Sequence, residues 1–309
     1  MTIDLTPTEP QCIGIVGLGL VGRALAGRLR SAGYECIGFD LQHDAMDSFV
    51  ALGFRTEASL PHLAALSNIF LLTVFETAGA MQVIDEILHS QNSDGSENTA
   101  LRQTSLTFID CSTGDPALLE KLATKLHGEG HCLIEAPLSG SSSQIAAGQA
   151  TMLLGGDLLD FLKISPVLEV LSTQQIHVGG AGMAARAKLA TNLVLGLNRA
   201  ALAEGMVFAQ SMGIEPDAFL KLVLATPARS DAAVVKGALM VSQQFEPQSR
   251  IRQHLKDVQL MLDIAQSKDQ ELPLSNVHAQ LLRHAVQAGD GELDNAAIVR
   301  QIRREKSRH

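Results

Sequence analysis

Lys188 and Asn192 are the residues whose types and spacing could carry out chemistry on a small polar substrate. They stand four residues apart in the apolar stretch 182–213, and residues at this spacing share one face of a helix. A lysine in a cleft between two domains loses hydration, which lowers its pKa toward neutrality and lets it exchange a proton with a substrate hydroxyl. A solvated lysine whose methylenes cover apolar surface is the alternative. We therefore predict one long core helix over residues 182–213, with Lys188 near its start as a candidate acid–base residue.

A glycine-rich hexapeptide, residues 17–22, is the second candidate site. It follows an apolar run of strand type at residues 12–16 and begins a helical pattern. The spacing G-x-G-x-x-G in this setting is typical of a dinucleotide-binding turn, although glycines alone could be structural. In such a turn the first glycine bends the chain, the second lets the backbone approach the pyrophosphate, and the third lets helix and strand pack; the phosphates lie at the helix N-terminus. The predicted cofactor contacts here are Gly17, Leu18, Gly19, Leu20, Val21 and Gly22.

Asp40 would decide which dinucleotide binds. It follows a second predicted strand at residues 34–39 and lies eighteen residues after Gly22, close to the ~20 expected for the acid that takes the ribose hydroxyls. A carboxylate there repels the 2′-phosphate of NADP. We therefore predict NAD as the cofactor and NADP as the less favoured one, with Asp40 and its neighbour Leu41 among the contacts.

Strands and helices alternate through the first half of the chain, which predicts an α/β, Rossmann-type, doubly wound sheet that is mostly parallel. The predicted strands are residues 12–16, 34–39, 69–73, 106–110, 132–135, 151–154 and 175–178, and the polar tract 90–104 is predicted to be a surface loop. Ligands bind at the carboxyl ends of such strands. The candidates at those ends are Val74 and Phe75, residues 111–113 and residues 136–141, although serine and glycine there could equally be turn formers.

After residue 213 the chain shows only helical patterns. They cover residues 216–224, 230–240, 252–267, 274–288 and 294–304, with breakers at Pro227, Pro247, Pro273 and residues 289–291. We predict two domains joined by the long interdomain helix. Residues 1–180 form the dinucleotide-binding Rossmann domain, and residues 181–309 form an all-α domain that supplies the substrate cleft and the oligomer contacts.

Composition limits the classes of protein that the chain can belong to. A length of 309 residues and 46% hydrophobic content suit two well-filled domains. The net charge of −9 argues against nucleic-acid binding; the basic run 300–309 is predicted to be a solvated tail or a subunit contact. Charged residues interrupt the long helix well before the ~18 uncharged residues that a membrane span needs. Four cysteines without a CxxC pair predict no metal site and a reducing cytoplasm, and residues 1–11 lack a secretory signal pattern.

Ordered motifs make the chain resemble the β-hydroxyacid dehydrogenase family, which includes 3-hydroxyisobutyrate dehydrogenase and tartronate semialdehyde reductase. Four motifs carry the resemblance, and it extends over residues 12–300: GLGLVG at 17–22, DCSTGDP at 110–116, EAPLSGSSSQIAAGQATMLLGG at 135–156 and GMAARAK at 182–188. A fifth match, residues 245–262, resembles the family helix that carries a Lys-Asp pair, here Lys256 and Asp257.

The resemblance implies reversible hydride transfer between NAD and the hydroxyl-bearing carbon of a small 3-hydroxy acid. It assigns general acid–base catalysis to Lys188, and substrate hydrogen bonding or orientation of Lys188 to Asn192. Substrate binding falls to Ser139, Gly140 and Ser141, of which the first two would hold the carboxylate. Further cofactor contacts would come from Val74, Phe75, Thr113 and Lys256. Members of the family commonly form homodimers or homotetramers through the helical domain, so a homo-oligomer is expected.

The chain departs from the family pattern at five positions, namely Glu135 in place of Asp, Ser141 and Ala184 in place of Gly, Phe75 in place of Pro, and Thr191 in place of Asn. Two of these, Ser141 and Thr191, belong to the expected substrate end, so the reaction is better indicated than the identity of the acid. Imine reductases share the fold and cofactor but generally lack a lysine at the position of Lys188. A non-catalytic NAD-binding protein is the other alternative.

Overall fold

The chain folds into two compact units that meet between Lys188 and Leu189. The structure, a computed structural model, describes residues 12–93 and 105–306. The division falls a few residues after the boundary predicted at residue 180, and it lies inside one continuous helix. The first turns of that helix therefore belong to the first unit.

One sheet forms the centre of the first unit. Its described strands are β1 (Cys12–Val16), β2 (Glu35–Phe39), β3 (Arg55–Thr56), β4 (Ile69–Leu72), β5 (Thr107–Asp110), β6 (Cys132–Glu135), β7 (Leu138–Ser139), β8 (Thr151–Gly155) and β9 (Gln174–Gly179). They are arranged in the order β3-β2-β1-β4-β5-β6-β8-β7, and β9 pairs with β8. All pairs from β3 to β6 are parallel, whereas β8 runs antiparallel to β6 and β7. The predicted doubly wound, mostly parallel sheet is confirmed.

Two strands were not predicted, β3 and β7, and each has only two residues. Such a segment is too short to show the alternation or the apolar run by which a strand is recognised. β7 nevertheless matters for the site, because Leu138 pairs with Met152 and Ser139 pairs with Thr151 of β8. This antiparallel pairing fixes the backbone just after β6.

Helices cover both faces of the sheet. They are α1 (Leu20–Ser31), α2 (His43–Ala51), α3 (Leu60–Ala64), α4 (Thr77–Ser93), α5 (Pro116–Gly128), α6 (Ser142–Ala146) and α7 (Leu158–Leu171). One apolar core contains Ile13, Ile15 and Leu25, and a second contains Val16, Leu72 and Phe108, so alternate residues of β1 face opposite cores. The predicted loop 90–104 is wrong at its start, because α4 continues to Ser93; the remainder lies outside the described residues.

The second unit is helical throughout its described part, as predicted. The long helix α8 (Met183–Ser211) leads into α9 (Pro216–Ala225), α10 (Asp231–Ser242), α11 (Ile251–Gln266), α12 (Pro273–Gln287) and α13 (Ile298–Lys306). Pro273 is the first residue of α12 rather than a breaker before it, because a proline at that position loses no helical hydrogen bond. A short 3-10 turn, Asn295–Ala297, precedes α13. None of the described helices has the length and apolarity required to cross a bilayer.

Gly196 allows two buried histidines to pack against α8. The rings of His254 on α11 and His278 on α12 lie 5.2 Å apart between centroids. A Cβ atom at Gly196 would stand 2.4 Å from His254 Nε2 and 2.9 Å from His278 Cε1. Both distances are shorter than any normal carbon contact, so a glycine is required for this packing.

We expect Gly196→Ala to lower the free energy of unfolding by about 1–3 kcal/mol, because the added methyl group must displace packed rings. This loss opposes the ~1 kcal/mol that alanine gains over glycine in a helix. Gly27→Ala in α1 is the matched control, since a Cβ there meets no atom within 4 Å, and it should be neutral or stabilising. Denaturant unfolding measures both variants, and equal stability of the two would contradict the packing argument.

Candidate active site

The glycine-rich loop after β1 is packed tightly at two positions and open at a third. Gly17 has a φ of +95°, and a Cβ there would lie 2.6 Å from the carbonyl oxygen of Thr73. A Cβ at Gly22 would lie 2.0 Å from the carbonyl oxygen of Gly17, whereas a Cβ at Gly19 meets no atom within 4 Å. Leu18 is fully buried, and α1 begins at Leu20. The open backbone at Gly19 and the N-terminus of α1 together suit the phosphates of a dinucleotide.

Thr73 links this loop to the end of the neighbouring strand β4. Its N–H donates to the carbonyl of Val16 at 2.8 Å, and its hydroxyl donates to the carbonyl of Gly17. The same hydroxyl would be 2.7 Å from a Cβ at Gly22. The sequence pattern includes Thr73 in the strand and gives it no role, but β4 ends at Leu72, which makes Thr73 the first residue after the strand.

Asp40 also contacts the glycine-rich loop. One carboxylate oxygen, Oδ2, accepts the N–H of Leu18 at 2.7 Å, and Oδ1 accepts the N–H of Gln42 at 2.9 Å. The side chain therefore helps to shape the glycine-rich loop. Leu41 is 83% exposed beside it, and residues 41–51 contain no lysine or arginine.

The loops after β4 and β5 are joined by a buried threonine. Thr77 accepts the N–H of Asp115 at 2.7 Å, and a Cβ at Gly114 would lie 2.3 Å from the Thr77 hydroxyl. In these loops the predicted cofactor contacts differ in exposure, since Val74 and Thr113 are partly buried and Phe75 is exposed. The contacts of Val74, Phe75 and Thr113 with a cofactor stay predictions.

Glu135 fixes the start of the long helix α8. Its buried carboxylate, at the end of β6, accepts the N–H of Gly182 and, at 2.8 Å, the N–H of Ala185. Burial raises the pKa of Glu135, while these two backbone N–H groups act in the opposite direction. A Cβ at Gly155 would lie 2.9 Å from Ala184 Cβ and 3.3 Å from Glu135 Cδ. Glu135 and Ala184, two of the residues that depart from the family pattern, thus both lie beside Gly155.

Lys188 is held on the first unit by the short strand β7. The side chain is 7% exposed, and Nζ donates to the carbonyl oxygen of Leu138 at 2.7 Å. The next residue, Ser139, is partly buried, and its hydroxyl makes no hydrogen bond to any residue within 12–93 or 105–306. The structure therefore places Nζ of Lys188 beside the peptide that precedes Ser139, and the roles of the two residues stay predictions.

Ser141 has a structural partner, although it was predicted to bind substrate. Its hydroxyl accepts the N–H of Gln144 at 3.3 Å, and its own N–H donates to Gln144 Oε1 at 2.8 Å, which is a capping box at the start of α6. Gly140 precedes it, and a Cβ there would lie 2.8 Å from Ala150 Cβ. The cap accounts for a serine at position 141 without a ligand, and its substrate contact stays a prediction.

In the helical unit, Asn192 belongs to a buried polar group. Its amide Nδ2 donates to Asp257 Oδ2 at 3.2 Å, and Lys256 Nζ lies 3.0 Å from Asp257 Oδ1. Asp257 thereby orients the side-chain amide of Asn192 and pairs with Lys256. The sequence motif names Asp257 without a role; its place on the buried face of α11 with His254, Val258 and Met261 follows the helical spacing and could have suggested one.

Known protein families match this chain over most of its length. Residues 12–180 match the family described as the NAD binding domain of 6-phosphogluconate dehydrogenase, and residues 180–302 match NAD-binding of NADP-dependent 3-hydroxyisobutyrate dehydrogenase. The 2-(hydroxymethyl)glutarate dehydrogenase of Eubacterium barkeri is 28% identical, with 93% of each chain covered. The 2-hydroxy-3-oxopropionate reductase of Escherichia coli is 26% identical, with 94% of this chain and 96% of that protein covered.

A solved structure of a similar protein has the same fold as this chain. The 3-hydroxyisobutyrate dehydrogenase of Salmonella typhimurium superposes with a TM-score of 0.81 at 26% identity, covering 94% of this chain and 99% of that one. The fold and the glycine-rich loop define an NAD-binding oxidoreductase with a Rossmann-type unit and a helical unit. More specifically, the chain belongs to the NAD-binding hydroxyacid dehydrogenase family, to which 3-hydroxyisobutyrate dehydrogenase and tartronate semialdehyde reductase also belong.

We expect Thr73→Val to weaken NADH binding about three- to tenfold, because it removes one hydrogen bond that positions Gly17, worth roughly 0.5–1.5 kcal/mol. Thr73→Ser retains the hydroxyl and should bind nearly as the wild type does. Thr107→Val makes the same chemical change at the first residue of β5, away from the glycine-rich loop, and serves as the control. Nicotinamide fluorescence titration gives the dissociation constants, and unchanged affinity in Thr73→Val would remove this role from Thr73.

Proposed function

We propose that the protein is an NAD-dependent dehydrogenase that interconverts a small 3-hydroxy acid and its carbonyl form, with 3-hydroxyisobutyrate, glycerate or a similar compound as substrate. One observation carries the proposal: the buried ammonium group of Lys188 donates to the carbonyl of Leu138, directly before the hydroxyl of Ser139. NAD, when bound, accepts the hydride in oxidation, and its reduced form returns it. The residues of the chain would bind and orient the substrate and move its proton.

Lys188 would act as the general base in oxidation and as the general acid in reduction. A hydride leaves carbon readily only as the hydroxyl proton departs, so a proton acceptor within hydrogen-bond reach is needed. The neutral amine form would take this proton and the ammonium form would return it, while an N–H of either form can keep the bond to Leu138 that fixes where Nζ lies. Asn192, oriented by Asp257, would hydrogen-bond the substrate oxygen or Lys188.

Ser139 and Gly140 would bind the substrate carboxylate. The Ser139 hydroxyl makes no bond to the described residues, so a carboxylate would gain a donor without breaking an internal contact. Gly140 lies at the tight approach to Ala150, where a side chain would displace the loop. A carboxylate held here would place the neighbouring carbons near β7, on which Lys188 is anchored.

Lys188→Ala should lower kcat at least a hundredfold, on the order of 3 kcal/mol, because the proton then has no acceptor. NAD affinity and the melting temperature should change little. Lys188→Arg should not restore activity, since a guanidinium group keeps its proton in proteins. Lys221→Ala, which removes an exposed lysine paired with Asp217, is the control for loss of one positive charge.

Steady-state oxidation of a panel of 3-hydroxy acids, followed by NADH absorbance, is the measurement. Near-normal turnover of Lys188→Ala on its best substrate would contradict the acid–base role of Lys188. The proposal would then be reduced to a protein that binds NAD. If no hydroxy acid reacts with the wild type but cyclic imines are reduced with NADH or NADPH, the imine reductase alternative applies. The same panel identifies the substrate acid and its stereochemistry.

We also propose that NAD is preferred over NADP. The support is the charge of Asp40 beside the glycine-rich loop and the lack of a cationic residue in 41–51 that could bind a 2′-phosphate. Because Asp40 also accepts the N–H of Leu18, a test of the charge should keep an acceptor at this position. Asparagine keeps an acceptor for Leu18, and its amide nitrogen would replace the oxygen that accepts the N–H of Gln42.

The wild type should use NAD at least tenfold better than NADP in kcat/KM, about 1.4 kcal/mol in transition-state stabilisation. Asp40→Asn should narrow this ratio, because an amide oxygen can still accept from Leu18 while the repulsion of the 2′-phosphate is lost. Asp44→Asn, at the exposed first turn of α2, should leave the ratio unchanged. Equal use of both cofactors by the wild type would overturn the preference.

We further propose that the protein forms a homo-oligomer in the cytoplasm. Three apolar side chains are exposed, Val194 and Phe208 on α8 and Met212 just after it, and apolar exposure of this kind is typical of protein interfaces. A second copy of the chain would cover them in a homodimer or homotetramer. The four cysteines are not joined in disulfides, which suits a reducing compartment.

A further inference from the structure

Three charged side chains lie buried in the helical unit and have no assigned part in catalysis. They are Arg199 on α8, Lys236 on α10 and Asp294 before the 3-10 turn, and each is at most 5% exposed. Lys236 Nζ lies 2.8 Å from Asp294 Oδ2. Two cations therefore share a core with one carboxylate.

The hydrogen-bond partners of Asp294 within the described residues do not include Arg199. Besides Lys236, its Oδ2 accepts the N–H groups of Gln248 at 3.0 Å and Ser249 at 3.2 Å, and its Oδ1 accepts the N–H of Ala296 at 2.9 Å. No hydrogen bond or ion pair joins Asp294 to Arg199, so their interaction is charge attraction over a longer distance.

The side chain of Arg199 makes no hydrogen bond or ion pair with any residue in the described ranges, and its Nη2 is inaccessible to solvent. Burial lowers the pKa of Arg199 to about 10, so the guanidinium group is still charged at neutral pH. Burial, with the charge of Arg199 as a second cause, lowers the pKa of His278 to about 4, which leaves His278 neutral. The group of Arg199, Lys236 and Asp294 thus has one positive charge in excess.

The other buried acids of the described helical unit are engaged elsewhere. Asp290 pairs with Arg300 at 3.3 Å and Arg304 at 2.6 Å, and Asp257 pairs with Lys256. A buried cation without a partner costs several kcal/mol, and buried charges in proteins are normally paired. None of these described acids pairs directly with Arg199, and its charge is balanced in part by the longer-range attraction of Asp294.

We propose that Arg199 binds a small monovalent anion of halide size in the core of the helical unit. A water molecule could accept hydrogen bonds there but could not neutralise the excess charge. A guanidinium group is weakly hydrated and presents several donors in one plane, which suits a compact, weakly hydrated anion such as chloride or bromide. This site stabilises the unit and is separate from the proposed catalytic function.

Thermal unfolding of the full chain in sodium chloride and in sodium gluconate, at equal ionic strength, tests the site. Gluconate is too large to enter the core, so the difference between the two salts isolates specific binding from screening. Chloride should raise the melting temperature by roughly 2–4 °C, the shift expected at about five times the dissociation constant. Arg199→Met should lose this difference, whereas Arg283→Met, which removes an exposed arginine bonded to Gln259, should retain it.

A measurement on the wild type decides the question even if Arg199→Met does not fold. Crystals grown in sodium bromide should show an anomalous scattering peak against the guanidinium group of Arg199. A water molecule at that position would overturn the proposal. So would a bromide peak combined with a melting temperature that does not depend on chloride, because the ion would then be adventitious.

Discussion

The buried carboxylate of Glu135 is the contact on which the candidate site depends. It ends β6 and accepts the N–H groups of Gly182 and Ala185, which lack partners inside the helix because they belong to its first turn. A negative charge at this end is also favoured by the helix dipole. The sheet therefore determines where α8 begins, and with it the position of Lys188 a turn further on. The bond from Lys188 to Leu138 is made to the same region of the sheet. The sheet therefore positions both the first turn of α8 and the side chain of Lys188.

Much of this arrangement can be predicted from the sequence because it depends on strong local patterns. Parallel strands buried on both faces are continuous apolar runs, as in β4 and β6, and the prolines at 116 and 216 begin helices where their missing N–H costs nothing. The close contacts of Gly17 and Gly22 follow from the glycine spacing. The family motifs in the sequence likewise indicate Lys188, Ser139 and Asn192 as site residues.

Other features depend on contacts between distant segments and have no local pattern. Thr73 acquires its role only because β4 ends one residue earlier than its apolar run suggests, and Asp257 because α11 turns its carboxylate toward Asn192. Ser141 is different, since the spacing from Ser141 to Gln144 is itself a capping-box signal in the sequence. The environment of Arg199 depends on the partners of Asp294, which come from separate segments of the chain.

The threonines that join neighbouring loops have a consequence for the thermodynamics of binding. Thr73 ties the turn after β1 to the end of β4, and Thr77 ties the loop after β4 to the one after β5. Three loops at the carboxyl edge of the sheet are thus held together by the protein's own hydrogen bonds. A ligand that binds to such an edge has little backbone entropy to remove, so most of its interaction energy appears as affinity rather than being offset by loop ordering. The edge of the sheet is in this sense ordered before any ligand arrives.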